Sequence, residues 1–246
     1  MKQSFTFKGK SSDSFAGLIV CELPTIKKPP KRYNKISIDG RDGDIIETLG
    51  YDAYDKEIKI GLSYGYDIDA LFEWLDGSGD LILSNEPNRI YTAEIVEEID
   101  LERLVCFKTG VIKFHVQPYK VATHTAKELF RNTAGALSGT VKITNEGNTS
   151  ALPQIRLTVA GKLSLTVNGI YCCTIETQSS STLTLYCEEQ EIRAGNFLES
   201  GNLCTSLMSG DFPLLSKGEN TIEFSVSTTN LKGLTVMQIK HYSRWL

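Results

Sequence analysis

The sequence predicts a mainly β protein of two domains, with a single helix in the first domain. Three observations support this prediction. Apolar and polar residues alternate over many short segments, which is the pattern of half-buried strands. One segment of the first half has its apolar residues at helical spacing instead. The composition also changes near residue 130, because about two-thirds of the acidic residues precede Arg131 and the chain after it is rich in Ser, Thr and Asn.

The first half is predicted to contain several strands and the helix. Apolar residues at positions 58, 60 and 62 alternate with polar ones and predict a strand. The helix is predicted near residues 67–76, because its apolar positions 68, 71, 72 and 75 share one face. Asp67 is suited to cap its first turn, and Gly77 is suited to end it. Further strands are predicted at Phe15–Leu23, Leu81–Leu83, Tyr91–Glu98, Leu104–Phe107 and Val111–Val116, with a tight turn at Thr109-Gly110.

The second half is predicted to be almost purely β. Asn168-Gly169 favours a two-residue hairpin, since type I′ turns need positive φ at both central positions. Short strands separated by turn residues are typical of a β-sandwich. The small, polar segment Val121–Ser138, which allows a short helix at Thr125–Arg131, separates the halves and gives predicted domains at residues 1–130 and 131–246. Strands of the second half are predicted at residues 141–143, 155–159, 163–167, 170–175, 183–187, 222–226 and 234–239.

The sequence offers no recognisable catalytic constellation. Its histidines are His115, His124 and His241, and none accompanies a Gly-x-Ser-x-Gly elbow or a cysteine signature. No P-loop and no Gly-x-Gly-x-x-Gly motif occurs, so nucleotide binding is not indicated. Pairs of acidic residues can catalyse glycoside hydrolysis only where their two carboxyl groups face one cleft. Pairs of acidic residues in turns are usually exposed to solvent. We therefore predict no catalytic residues, no cofactor-binding residues and no enzyme activity.

Metal binding is not predicted either. Asp39, Asp42 and Asp44 have the oxygen ligands that calcium prefers, but their spacing is not that of an EF-hand loop. The glycines between them favour a plain turn. The six cysteines match no zinc pattern, and reduced thiols are expected. Because neighbours in a strand point to opposite faces, one of the adjacent pair Cys172 and Cys173 is expected to be buried.

The charge balance argues against nucleic-acid binding as the main function. The net charge is −4 and the pI about 5.5, whereas proteins hold nucleic acid largely through Lys and Arg that neutralise phosphates. The one basic cluster, within residues 27–35, is expected to be a solvated loop or a subunit contact. No apolar run approaches the roughly 18–20 residues that span a bilayer, so membrane insertion is not expected.

Six groups of short motifs, taken in order, cover almost the whole chain. They are Ser4–Phe7 with Phe15–Val20, Ile38–Gly43, Leu71–Leu81, Phe114–Lys120, Asn145–Pro153 and Phe212–Asn220. Their glycines and prolines fit tight turns and strand edges. In this order the motifs resemble those of the distal tail proteins of siphophages, often called Dit.

The resemblance implies both a fold and a role. The first domain would be a tail-tube-like β-barrel or sandwich, and the second a galectin-like or carbohydrate-module-like β-sandwich. Six copies would form a ring hub that joins the tail tube to the tail tip or baseplate and lets DNA pass. The implied partners are sister copies, the tail tube protein, a tail-associated lysin or hub protein and, in some members, receptor-binding proteins. The implied location is the virion tail tip of a phage or prophage, after synthesis in the bacterial host cytoplasm.

Charge adds a detail to the ring hypothesis. Residues before Arg131 carry a net charge of about −4 and the rest about zero, and an acidic wall would repel DNA phosphates. Within a ring, the Asp39–Asp44 turn is expected to meet the basic segment of a neighbouring subunit, since opposite charges favour one register.

Two alternatives to the ring remain open at this point. One is a carbohydrate-binding module that attaches the particle to host cell-wall sugars, which would need exposed aromatic rings for stacking. The second half offers Tyr171, Tyr186, Phe197, Phe212 and Phe224, of which Tyr171 and Tyr186 are the first to test. The other alternative, a wall-degrading enzyme, is motivated only by the acidic pairs.

Overall fold

A computed structural model of the chain describes residues 2–99, 109–195, 201–228 and 232–246. Most of these residues lie in β-strands, and the described part of the chain contains one α-helix, which confirms the predicted fold class. The chain forms two compact units, with the division between Thr123 and His124. No helix within the described ranges is long and apolar enough to cross a membrane.

The first unit is built around one antiparallel sheet. Its elements are β1 (Phe5–Phe7), β2 (Lys10–Ser11), β3 (Leu18–Glu22), β4 (Lys31–Ser37), β5 (Asp44–Tyr51), β6 (Tyr54–Leu62), α1 (Ile68–Leu75), β7 (Ser78–Leu83), β8 (Arg89–Glu94) and β9 (Thr109–Ala122). The strand order in the sheet is β2-β1-β7-β8-β9-β6-β3. Strands β4 and β5 form a separate two-stranded sheet and, among the residues that the structure describes, pair only with each other.

Helix α1 forms as the sequence predicts and anchors the core of the first unit. The Asp67 carboxylate accepts a hydrogen bond from the Ala70 amide at 3.1 Å, which caps the first turn. Trp74 is buried, and its Nε1 donates to the Phe7 carbonyl at 2.9 Å. The Trp74 ring stacks on Phe5 with centroids 5.2 Å apart, an arrangement that contributes about 0.5–1.5 kcal/mol beyond simple burial.

Strands β4 and β5 form an arm hairpin, residues 31–51, that the sequence analysis did not identify. Every side chain of β4 and most of those of β5 are exposed. Lys35 Nζ lies 2.8 Å from Asp44 Oδ2 across the hairpin. The predicted contact between the acidic turn and the basic segment of a neighbouring subunit would therefore not involve Lys35 and Asp44, because these two residues already pair within one chain.

The second unit is built around an antiparallel sheet of eight strands. They are β10 (Ala126–Ala136), β11 (Ser138–Asn145), β12 (Gln154–Val167), β13 (Ile170–Tyr186), β14 (Glu191–Ala194), β15 (Met208–Gly210), β16 (Gly218–Ser227) and β17 (Gly233–His241). The short strand β18 (Arg244–Trp245) lies outside this sheet. The long hairpin β12–β13 turns at Asn168-Gly169, which confirms the predicted turn. Along its first half β12 also pairs with β17, and along its second half it pairs with β16.

Gly161 marks the point where β12 changes partners. Its φ is +112°, and a Cβ at this position would lie 2.8 Å from the Ser227 carbonyl oxygen. The buried Thr177 hydroxyl accepts a hydrogen bond from the Gly161 amide at 3.2 Å. Odd-numbered positions of β12 are buried on both sides of this point, so both parts of the strand contribute to one hydrophobic core.

Two local predictions are wrong. Thr109-Gly110 is not a turn, because both residues open β9 and pair with Gly61 and Ile60 of β6. The segment at residues 125–131 is not helical, because residues 126–131 belong to β10 and pair with β17. In both cases hydrogen bonds to a distant strand override a weak local preference. The strand predicted at residues 104–107 lies outside the described residues.

Candidate interaction surfaces

The structure places the three histidines far from any catalytic arrangement within the described residues. His115 Nδ1 lies 2.8 Å from Asp55 Oδ1, and this hydrogen bond is the main reason that the pKa of Asp55 is lowered. His124 Nε2 is 3.7 Å from Glu146, with both side chains exposed. His241 is buried and its Nε2 donates to the Thr144 carbonyl at 3.0 Å. None of these contacts joins a histidine to a Ser or Cys nucleophile.

The acidic residues considered for calcium lie at the tip of the arm hairpin. Asp44 is held by Lys35 and by the Ser37 hydroxyl, which donates to it at 2.8 Å. The hydrogen bond from Lys35 is the main reason that the pKa of Asp44 is lowered. Within the part of the chain that the structure describes, no three His, Cys, Asp or Glu side chains are grouped so as to hold a metal ion.

The outward side of the first sheet is acidic, and we refer to it as the acidic face. Its side chains point away from the core because inward positions such as Ile58 and Phe114 alternate with them. Ion pairs join Lys59 to Glu22 at 2.6 Å and Lys113 to Asp55 at 3.2 Å. Among the described residues of these strands, carboxylates outnumber lysines. The ionisable residues of this face are Glu22, Asp55, Glu57, Lys59, Asp80, Glu94, Lys113 and His115.

The arm hairpin presents apolar side chains to solvent on a two-stranded sheet. An isolated two-stranded hairpin is marginally stable in water, and its strand edges are free to pair or to be covered. Its strands also carry the exposed basic residues Lys31 and Arg32. A surface of this kind is typical of a contact with another protein. The exposed apolar residues of the arm and its tip are Tyr33, Ile36, Ile38, Ile45, Ile46 and Leu49.

A buried ionic cluster that sequence reasoning missed lies beneath the base of this arm. Lys56 is 2 % exposed, and its Nζ donates to the Thr25 carbonyl at 3.5 Å. Lys120 Nζ pairs with Glu86 Oε1 at 2.8 Å, and the Tyr91 hydroxyl donates to the same carboxylate. Burial lowers the pKa of Lys56 to about 8. No sequence motif marks these residues, because their positions belong to separate strands and a loop.

The aromatic residues considered for sugar stacking are mostly buried. Tyr186 and Phe224 are 6 % and 3 % exposed and lie in or against the core, so the suggestion of Tyr186 as a sugar platform is wrong. Phe212 packs partly buried against the same core. Tyr171 is 57 % exposed and is the one described aromatic residue of this group with an open ring face. Phe197 lies outside the described residues.

Known structures share this architecture over the whole chain. The Dit protein of phage SPP1, described as a hub adsorption apparatus, matches with a TM-score of 0.72 at 16% identity, covering 100% of both chains. The chain has the Dit fold. A chain of the phage P2 baseplate, in its activated conformation with Ca, matches with a TM-score of 0.52 at 7% identity, covering 98% of both chains. The same baseplate with Sr gives the same values.

No protein-family model matches the sequence, and no curated protein shows significant sequence similarity to it. The Dit fold is therefore recognised through the structure. The order of motifs that suggested the same family in the sequence agrees with it.

Proposed function

We propose that this protein is a structural, non-catalytic hub subunit at the distal end of a phage or prophage tail. The observation that carries the proposal is the match to the SPP1 Dit protein over the full length of both chains. A free-standing carbohydrate module would be expected to resemble only the second unit. The match to a baseplate chain over 98% of both chains favours the same role.

Six copies are proposed to form a ring through the arm hairpin. Docking the arm against a neighbouring copy would remove its apolar side chains from water, at about 25 cal/mol per Å² of apolar surface. Lys31 and Arg32 are exposed on the arm and would pair with carboxylates of the neighbouring copy, since opposite charges fix register and specificity. The ring would also contact the tail tube on one side and a tail-associated hub or lysin protein on the other.

The acidic face supports a role in DNA passage. A channel that DNA crosses should not retain it, and carboxylates repel phosphates. Glu57 and Glu94 are exposed on strands that hydrogen-bond into one continuous sheet, so they can line a wall. We propose that this face is turned toward the central channel.

Assembly tests the proposal directly. The wild-type chain, alone and mixed with the tail tube and hub proteins of the same phage or prophage, is expected to give a hexamer by native mass spectrometry. Ile46→Lys, which puts a charge into the exposed apolar part of the arm, should reduce the hexamer at least tenfold. Ile170→Lys is the matched control, because Ile170 is 71 % exposed on the other unit.

Two results would contradict the ring. One is a wild-type chain that stays monomeric and binds neither the tube nor the hub protein. The other is a hexamer that Ile46→Lys and Ile170→Lys affect equally, since the arm would then have no special part in it.

A further inference from the structure

A groove of about 410 Å³ opens on the outward side of the β12–β13 hairpin, where the segment at residues 205–209 forms its wall. Small-molecule sites are typically about 300–1,000 Å³ in volume. All residues of the groove belong to the described part of the second unit. They are Lys162, Thr174, Glu176, Gln178, Ser206, Leu207, Met208 and Ser209.

A β-bulge places Tyr171 on the outward side of the hairpin, beside Thr174 of the groove. Leu165 pairs with Cys173, but the next residue, Thr166, pairs with Tyr171, so Cys172 is the extra residue. Without the bulge, Tyr171 would share the inward side of the buried Cys173. Bulges re-aim side chains in this way and are common beside functional sites.

The bulge and the ring are held in place by specific contacts. The Cys172 carbonyl accepts a hydrogen bond from the Asp211 amide at 2.9 Å. Gly210 passes so close that a Cβ on it would lie 2.4 Å from the same oxygen. The Tyr171 hydroxyl lies 2.9 Å from Thr174 Oγ1, which holds the exposed ring next to a residue that lines the groove.

The polar side chains of the groove are not occupied by one another. Lys162 and Glu176 are directly opposite in the strand register, yet no ion pair joins them among the described residues. No hydrogen bond of the Gln178 side chain is found within those residues either. An ammonium, a carboxylate and an amide thus line one groove, with the hydroxyls of Ser206 and Ser209 on the opposite wall.

We infer that this groove binds a neutral saccharide. The charges of Lys162 and Glu176 cancel, which favours an uncharged ligand over an anion or a cation. Hydroxyl, amide and carboxylate groups match the donors and acceptors of a sugar's hydroxyls. The exposed Tyr171 ring, with Leu207 and Met208, offers apolar contacts to the C–H face of a pyranose.

Saturation-transfer NMR on the full chain tests the inference. The probes are galactose, glucose, N-acetylglucosamine and rhamnose, each at millimolar concentration. At least one is expected to bind with a Kd in the millimolar range. Tyr171→Ala and Glu176→Ala should each weaken that binding at least tenfold.

Two matched controls make the test specific. Ile170→Ala removes the exposed neighbour of Tyr171, and Glu223→Ala removes an exposed carboxylate on β16 outside the groove. Both should bind the sugar as the wild type does, and thermal melting checks that all four variants are folded. Absence of transfer to all four sugars would overturn the inference, as would equal losses in groove and control variants. Because the assay uses the isolated chain, it is independent of ring assembly.

Discussion

Lys56 and Lys120 occupy the same buried cluster but contribute to stability in opposite ways. Lys120 has a direct carboxylate partner in Glu86, at 2.8 Å. Lys56 has a backbone carbonyl at 3.5 Å and the face of the Tyr91 ring, with its Nζ 4.6 Å from the ring centroid. The Glu86 carboxylate is therefore the nearby anion for both ammonium groups, and the cost of burying the Lys56 charge is poorly compensated.

We expect Lys56→Met to stabilise the first unit at pH 7. Burial lowers the pKa of Lys56 from 10.5 to about 8, so the folded state disfavours the charged form. The penalty is full below pH 8 and disappears as the pH rises toward 10.5. Removing the charge should raise the free energy of unfolding by about 1–3 kcal/mol at pH 7. Urea denaturation at neutral and alkaline pH measures this, and the gain should shrink above pH 8.

Lys120→Met is the control for this prediction. It leaves the half-buried Glu86 carboxylate without its ion-pair partner and should lower the free energy of unfolding by about 3 kcal/mol. Equal changes in the free energy of unfolding would contradict the prediction that the two lysines contribute to stability in opposite ways.

His241 is expected to make the second unit sensitive to acid. Burial lowers its pKa below the ordinary value of 6.5, so the folded state favours the neutral ring. Its contribution to stability is complete above pH 6.5 and declines as the pH falls toward the lowered pKa. His241→Gln keeps a donor for the Thr144 carbonyl but does not titrate. Urea denaturation should show a smaller loss of stability from about pH 7 to about pH 5 in this variant, and parallel curves would refute the assignment.

Elements of this protein were predictable where one local pattern decided them. Four apolar positions at helical spacing and the capping Asp67 predicted α1, and Asn168-Gly169 predicted the β12–β13 turn. The arm hairpin was not predicted, because its apolar residues are exposed and do not follow the pattern of strands that face a core. Strand β10 was not predicted, because its partner strand β17 lies about a hundred residues further along the chain.

The close backbone approach at Gly161 gives a prediction for a single element. Gly161→Ala should lower the free energy of unfolding by about 2 kcal/mol or more, because φ is +112° and the new Cβ would contact the Ser227 carbonyl. Gly169→Ala is the matched control, since φ is +78° but no atom lies within 4 Å of its Cβ. It should show only backbone strain, about 1 kcal/mol. Chemical denaturation of both variants compares the two effects, and an equal loss would mean that the close approach at Gly161 is unimportant.

At the scale of the whole molecule, the described residues form two separate hydrophobic cores, one in each unit. The acidic residues concentrated in the first half of the sequence converge on one side of its sheet, because strand alternation directs Asp55, Glu57 and Glu94 outward together. Neither the composition nor the spacing of these residues specified that they would share a face. Strand pairing brought them together.

The sequence by itself determined the β-rich class, helix α1, the hairpin turn and the resemblance to siphophage distal tail proteins. These depend on side-chain periodicity and turn residues, which act over a few positions. Only the tertiary structure decided which aromatic ring is exposed, which buried lysine lacks a carboxylate at hydrogen-bond distance, and where the groove and the arm lie. Those properties depend on burial and strand register, which arise when residues far apart in the chain are brought into contact.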